Sequence, residues 1–119
     1  MPTAKTADRL AEYEGRYREL AAQLATIGLI HSGSVTLRYT RCGTPGCKCH
    51  GDPPELHGPY YQWTAKVNAK TVTRRLNSAE AELYQEWIAN DRHLRHLIDQ
   101  MRQLAAKAAE LKLKQVANL

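Results

Sequence analysis

Three cysteines fall within eight residues of this chain and a histidine follows them, in the order Cys42-x4-Cys47-x-Cys49-x7-His57. Thiolates and an imidazole at such spacing are ligands for zinc, which gathers four of them in a tetrahedron at about 2.3 Å to sulfur and about 2.0 Å to nitrogen. The loop must fold back tightly to do so, and Gly43, Pro45 and Gly46 supply the turn conformations that let Cys42 and Cys47 converge. Cys49, two residues beyond Cys47, reaches the same ion where the chain curls. The fourth ligand is His50 or His57. Adjacency to Cys49 makes His50 geometrically awkward, whereas His57 follows the run Gly51-Asp52-Pro53-Pro54-Glu55-Leu56 and opens the next strand, so His57 is the expected ligand. Four protein ligands leave no open position, which makes the zinc structural rather than hydrolytic. Three readings compete with it: reduced and unligated thiols, an iron–sulfur centre (which lacks a fourth Cys), and a catalytic Cys, for which no Cys-His-Asn set stands nearby.

The net charge of +5 is unevenly placed. Residues 1–30 carry four bases against four acids, and residues 77–119 carry six against six. Residues 31–76 carry seven bases (Arg38, Arg41, Lys48, Lys66, Lys70, Arg74, Arg75) against only Asp52 and Glu55, so the whole excess sits in the middle. A neutral scaffold holding one basic module points to a polyanionic partner. The odd cysteine count, and an N-terminus without an apolar signal core, suit a reducing cytoplasmic setting and metal rather than disulfides. No apolar run approaches the ~20 residues that a membrane span needs.

Two helical arms flank the module. From Leu10 the apolar residues run Leu10, Tyr13, Tyr17, Leu20, Leu24, Ile27 at spacings of 3, 4, 3, 4, 3, a heptad seam. Thr3 or Thr6 is a candidate cap, and Gly28 a candidate stop. The second arm opens with Asn77 and Glu80 in a capping-box arrangement, and its seam reads Leu83, Trp87, Asn90, Leu94, Leu97, Met101, Leu104, Ala108, Leu111. Asn90 is the polar register-setter. At 1.5 Å per residue the arms would be about 37 and 58 Å long. Pairing from the module outward would leave Leu104, Ala108 and Leu111 uncovered, which predicts a homodimer.

Between the arms, Ser34–Arg41 and Tyr60–Val67 alternate as strands, and Asn68-Ala69-Lys70 reads as the turn into a third strand, Thr71–Leu76. Val35, Leu37, Tyr39, Tyr61, Trp63 and Val67 form the face expected to pack on the helices. Thr36, Arg38, Thr40, Gln62, Thr64, Lys66, Thr73 and Arg75 line the other. Arg74 falls on the same face as Val72 and Leu76, which suggests a bulge or an early strand end. The expected fold is thus α+β: a long antiparallel, coiled-coil-like helical hairpin with an inserted three-stranded antiparallel β-sheet and a zinc-binding loop. It reads as one domain over 1–119, with an N-terminal helix (1–30), the zinc-loop and sheet module (31–76) and a long C-terminal helix (77–119).

The string from Arg41 to Tyr61, RCGTPGCKCHGDPPELHGPYY, resembles a family of small bacterial and phage proteins of unknown function. That family carries Arg-Cys-Gly-x-Pro-x-Cys-x-Cys followed by His-Gly-Pro-Tyr. Arg41, Cys42, Gly43, Pro45, Cys47, Cys49, His57, Gly58, Pro59 and Tyr60 match the pattern. The resemblance extends over roughly residues 33–104. It implies a strand before the motif, a helix after the sheet, a setting near mobile elements, and His57 rather than His50 as ligand.

The function expected from these readings is a zinc-stabilised nucleic-acid-binding accessory or regulatory protein, with DNA the first candidate. Arg38, Arg41, Lys48, Lys66, Lys70, Arg74 and Arg75 would contact the nucleic acid. The alternative is a protein–protein adaptor or oligomerisation module working through its helices. An enzyme is not expected: the carboxylates sit on helix surfaces, and no Gly-rich phosphate loop or Ser-His-Asp set appears. Tyr60, Tyr61 and Trp63 read as core or interface residues. His93 and His96, at i, i+3 on the second arm, read as a solvated face rather than a second metal site. His31 has no assigned role.

Overall fold

The computed structural model describes residues 4–118, which run as α1 (Ala4–Leu24), β1 (Ser34–Thr40), a 3-10 turn (Lys48–His50), β2 (His57–Val67), β3 (Lys70–Leu76) and α2 (Ser78–Ala117). The fold is α+β, with two helices and one antiparallel sheet in the order β1-β2-β3. The described chain divides into two compact units. One holds Ile30–Ala89; the other holds the residues up to Leu29 together with those from Asn90 on. The expected C-terminal arm, 77–119, is therefore split: its first three turns belong with the sheet.

Within Ile30–Ala89 the core is Trp63, Ala65 and Leu76 of the sheet against Ala81 and Ile88 of α2, with Val35, Tyr61 and Tyr84 packed around them. α2 begins where its sequence says it must. The Asn77 backbone N–H donates to Glu80 Oε1 at 3.0 Å and the Glu80 N–H donates to Asn77 Oδ1 at 2.9 Å, the reciprocal capping box. In this stretch the inward stripe is Ala81, Tyr84, Ile88, and Leu83 is 48% exposed. The heptad seam thus starts later than the sequence suggests, because the sheet claims a neighbouring stripe of the same helix.

The connection into β1 crosses β2 at close range. Gly33 lies at φ 110°, and a Cβ there would sit 2.5 Å from both the Thr64 carbonyl oxygen and Trp63 Nε1. Just before it, the His31 N–H donates to the Trp87 carbonyl at 3.1 Å, and the His31 ring stands edge-on to Trp63 at 4.7 Å between centroids. His31 is thereby a packing residue. The β2–β3 hairpin closes on two residues, Asn68 and Ala69, both at positive φ (50° and 65°), with Val67 opposite Lys70. Lys70 opens β3 instead of sitting in the turn.

Register decides the two faces, because residues directly opposite one another project to the same side. Val35, Trp63 and Arg74 align across the strands, as do Thr36, Gln62 and Arg75. β2 and β3 pair from Tyr61–Leu76 to Val67–Lys70 without a shift, so the bulge expected at Arg74 is absent. The irregularity lies instead between β1 and β2, where Arg38 faces Tyr60 but Thr40 faces His57. The helix-side face is also less covered than expected. Leu37, Tyr39, Val67 and Val72 remain 38–55% exposed, because α2 overlies only the part around Trp63, Ala65 and Leu76.

In the other unit α1 stops at Leu24, four residues short of Gly28. The Thr26 N–H and hydroxyl both bond the Gln23 carbonyl, at 3.1 and 2.7 Å, and this local competition ends the helix. Thr6 falls inside α1; Thr3 lies outside the described residues. Along α2, Leu97, Ala108 and Leu111 are buried and Leu94, Met101 and Leu104 half-buried. The expected uncovered overhang is therefore not found at Leu104, Ala108 and Leu111. Three turns of α2 are spent in the sheet unit, and the remainder is covered within the chain, with Glu14 pairing to Lys112 at 2.9 Å. Asn90, expected to set register on the seam, bonds beyond the end of α1: its Nδ2 donates to the Leu29 carbonyl at 2.8 Å. No helix among the described residues is long and apolar enough to cross a membrane.

Candidate metal centre and basic sheet face

The loop between β1 and β2 is built from turns that return its donors to one point. The Cys47 N–H donates to the Thr44 carbonyl at 3.1 Å, the His50 N–H to the Cys47 carbonyl at 3.0 Å, and the Glu55 N–H to the Lys48 carbonyl at 3.0 Å. These bonds bring Cys42 Sγ to 3.6 Å from Cys49 Sγ and Cys47 Sγ to 3.3 Å from His57 Nε2. The four donor atoms all lie within 4.8 Å of one another. A tetrahedron with sulfur at about 2.3 Å and nitrogen at about 2.0 Å has edges of about 3.5–3.8 Å, so the loop presents donors at metal-binding separations. His50 is elsewhere: its Nε2–H donates to the Cys42 carbonyl at 2.6 Å, leaving His57 as the clustered imidazole.

The thiols are unequal. A backbone hydrogen bond with Thr44, and then the His57 ring, hold the Cys42 thiol down at about 6, well below a free cysteine. Burial pushes the Cys49 thiol up, although its sulfur accepts the Cys42 N–H at 3.3 Å. Cys49 has no solvent exposure at all, while His57 is exposed, so the donor set runs from the loop interior to the surface. The β1–β2 irregularity places the imidazole. Gly58 and Pro59 together oppose Tyr39, and Gly58 takes φ 118° where a Cβ would meet the Arg38 carbonyl at 2.7 Å. One extra residue reverses the alternation, so His57 projects with Thr40, Arg38 and Tyr60 instead of with Trp63.

A family model described as a domain of unknown function, DUF6788, matches residues 10–85. The chain belongs to this family. No curated protein and no solved structure matches it. The DUF6788 match takes in α1 from Leu10, the loop and the entire sheet, and ends two turns into α2, a different span from the 33–104 that the motif resemblance implies.

The basic residues of this DUF6788 chain divide by face. Arg38, Lys66 and Arg75 share the side away from α2 with Thr36, Tyr60, Gln62, Thr64 and Thr73. Lys70 and Arg74 lie on the side of Trp63 and Ala65, and Arg74 stands 3.9 Å from Glu80. Arg41 follows β1, next to Cys42, and Lys48 stands between Cys47 and Cys49 in the 3-10 turn. All seven are exposed. Among the described residues Arg38, Lys66 and Arg75 have no carboxylate within ion-pair distance, whereas Arg16, Arg95, Arg102 and Lys112 on the helices each have one. Tyr60, read from the sequence as core or interface, is instead half-buried on the basic face with the Arg75 guanidinium over its ring at 3.7 Å. Strand alternation already put Tyr60 on that face beside Gln62; the contact with Arg75 needed the β2–β3 register. His93 and His96 are exposed and join no metal-binding group among the described residues.

Proposed function

We propose that this protein is a non-enzymatic, zinc-stabilised nucleic-acid-binding accessory or regulatory protein, with DNA as the first ligand. The observation that carries the reading is the unpaired basic face. Arg38, Lys66 and Arg75 are spread along one face, free of carboxylates, on the sheet side opposite the core, in the segment that holds the chain's whole charge excess. Cations without internal ion pairs bind phosphate at no cost in broken salt bridges. Zinc held by Cys42, Cys47, Cys49 and His57 supplies rigidity: it ties the strand bearing Arg38 to the strand bearing Tyr60 and presents Arg41 and Lys48 beside them. Lys70 and Arg74, on the other side, contribute only general attraction. The helices form the scaffold, read as an antiparallel, coiled-coil-like hairpin. Supporting that arrangement are the Glu14–Lys112 pair, the Lys107 ammonium over Tyr13, and the Asn90 bond to Leu29.

Filter binding at two salt concentrations tests the reading. With about five phosphates neutralised, the slope of log affinity against log salt is expected near −3.5 on a single strand and near −4.5 on a duplex. Failure to retain any DNA or RNA at low salt would overturn it.

An adaptor reading is favoured by one separate feature, the exposure of Leu113 (64%) and Val116 (66%) near the end of α2. Its partner would be a second copy of the chain or an acidic protein. Replacing Leu113 and Val116 with Ser would abolish assembly in that case. Replacing Arg38, Lys66 and Arg75 with Ala would abolish nucleic-acid retention in the other.

A further inference from the structure

The arrangement of Arg75 and Tyr60 narrows the kind of nucleic acid. Arg75 Cζ lies 3.7 Å from the centroid of the Tyr60 ring, which is stacking contact, and Arg75 itself is exposed. A guanidinium flat on a ring hides one plane and offers the other to solvent. Arginines that read duplex sequence do the reverse: they extend edge-on so that the N–H fork meets a base edge in the groove. The sheet is also the wrong width for a groove. Three strands at about 4.8 Å spacing put the outer strand axes about 10 Å apart before side chains are added, and the major groove, about 12 Å wide, takes a two-stranded ribbon.

A flat polar sheet carrying an aromatic–guanidinium stack fits an unpaired base. Around the stack, Arg38 stands opposite Tyr60 on β1, and Gln62 stands opposite Arg75 on β2, its Nε2 donating to Thr64 Oγ1 at 3.4 Å. Gln62 and Thr64 place amide and hydroxyl groups where the edge of a stacked base would lie; Arg38 stands beside the stack for an adjacent phosphate, and Lys66, four residues along β2 from Gln62, lies further along the path of the strand's backbone.

We propose that the basic face binds single-stranded nucleic acid, with one base stacked on the Arg75 guanidinium that Tyr60 supports. This rests on the nucleic-acid reading above and deepens it. The test is fluorescence polarisation of the full chain, loaded with zinc, against three labelled probes of about twelve units: oligodeoxythymidine, a duplex, and an abasic sugar–phosphate strand. The thymidine strand is expected to bind at least about tenfold more tightly than the other two, since each stacked base is worth about one to two decades of affinity. Arg75→Lys keeps the charge and loses the plane; it is expected to cost about tenfold on the thymidine strand and little on the abasic one. Tyr60→Val is expected to match it, and Tyr60→Phe to bind like the parent. Equal binding of the thymidine and abasic strands, or an Arg75→Lys variant with full thymidine affinity, would overturn the stacking proposal and leave the basic-face reading standing. A chain that binds none of the three at low salt would remove both.

Discussion

The sheet unit and the helical unit are held together by different physics. From Asn90 on, α2 buries Leu97, Ala108 and Leu111 in a repeating seam, with one polar register contact at Asn90. Each turn there repeats the support of the one before. The sheet unit has a one-sided core of Trp63, Ala65, Leu76, Ala81 and Ile88, and leaves Leu37 and Tyr39 half open. Beyond that core, the stretch between β1 and β2 has one 3-10 turn and a few backbone bonds. On the proposed zinc reading, its order depends on an ion held by Cys42, Cys47, Cys49 and His57. A periodic helix carries its stability in every heptad, whereas a loop of this composition concentrates it in one point.

On that reading, chelating the metal is the strongest way to expose the contrast. Structural zinc in small modules contributes on the order of 10 kcal/mol to folding. Chelation, or Cys49→Ser, is expected to melt the loop and loosen β1 from β2. Amide exchange would accelerate throughout Ser34–Thr40, while the helical circular dichroism signal persists. Uniform exchange in the two units would show that the loop does not depend on the ion.

Core truncation ranks next. Trp63→Ala should cost about 3–5 kcal/mol by chemical denaturation and Leu97→Ala about 2–5 kcal/mol, each from its own unit. With two units, Trp63→Ala should accelerate exchange in the sheet far more than around Leu97. Equal effects in both would show a single cooperative block.

Smaller effects come from backbone details. Asn77→Ala removes the reciprocal cap of α2 and should cost about 1 kcal/mol. Ala69→Gly should stabilise by up to about 1 kcal/mol, because Ala69 sits at φ 65° where a Cβ is strained. Thermal melts of the pair would check both signs.

Local and periodic signals were the legible ones. The Asn77–Glu80 cap, the three strands, the partition of Arg38, Gln62, Lys66 and Arg75 to one face, and the clustering of three cysteines with His57 can be read from spacing alone. What stayed hidden depended on long-range competition. The sheet claims Ala81, Tyr84 and Ile88, so the seam begins later than its heptads suggest and Leu104, Ala108 and Leu111 are covered. Gly58 and Pro59 precede the alternation read from Tyr60 on, yet they form the irregularity that turns His57. The end of α1 at Leu24 reflects the Thr26 hydroxyl competing for the Gln23 carbonyl, with Gly28 playing no part in the stop. The Arg75–Tyr60 stack needed the strand register, because the partners are fifteen positions apart.

In the proposed centre three thiols and one imidazole hold one ion. Native mass spectrometry of the purified chain measures that most directly. The expected result is one zinc per chain, lost when Cys47 or His57 is replaced by Ala and retained when His50 is. A metal-free chain whose β1–β2 loop exchanges as slowly as its helices would contradict the account.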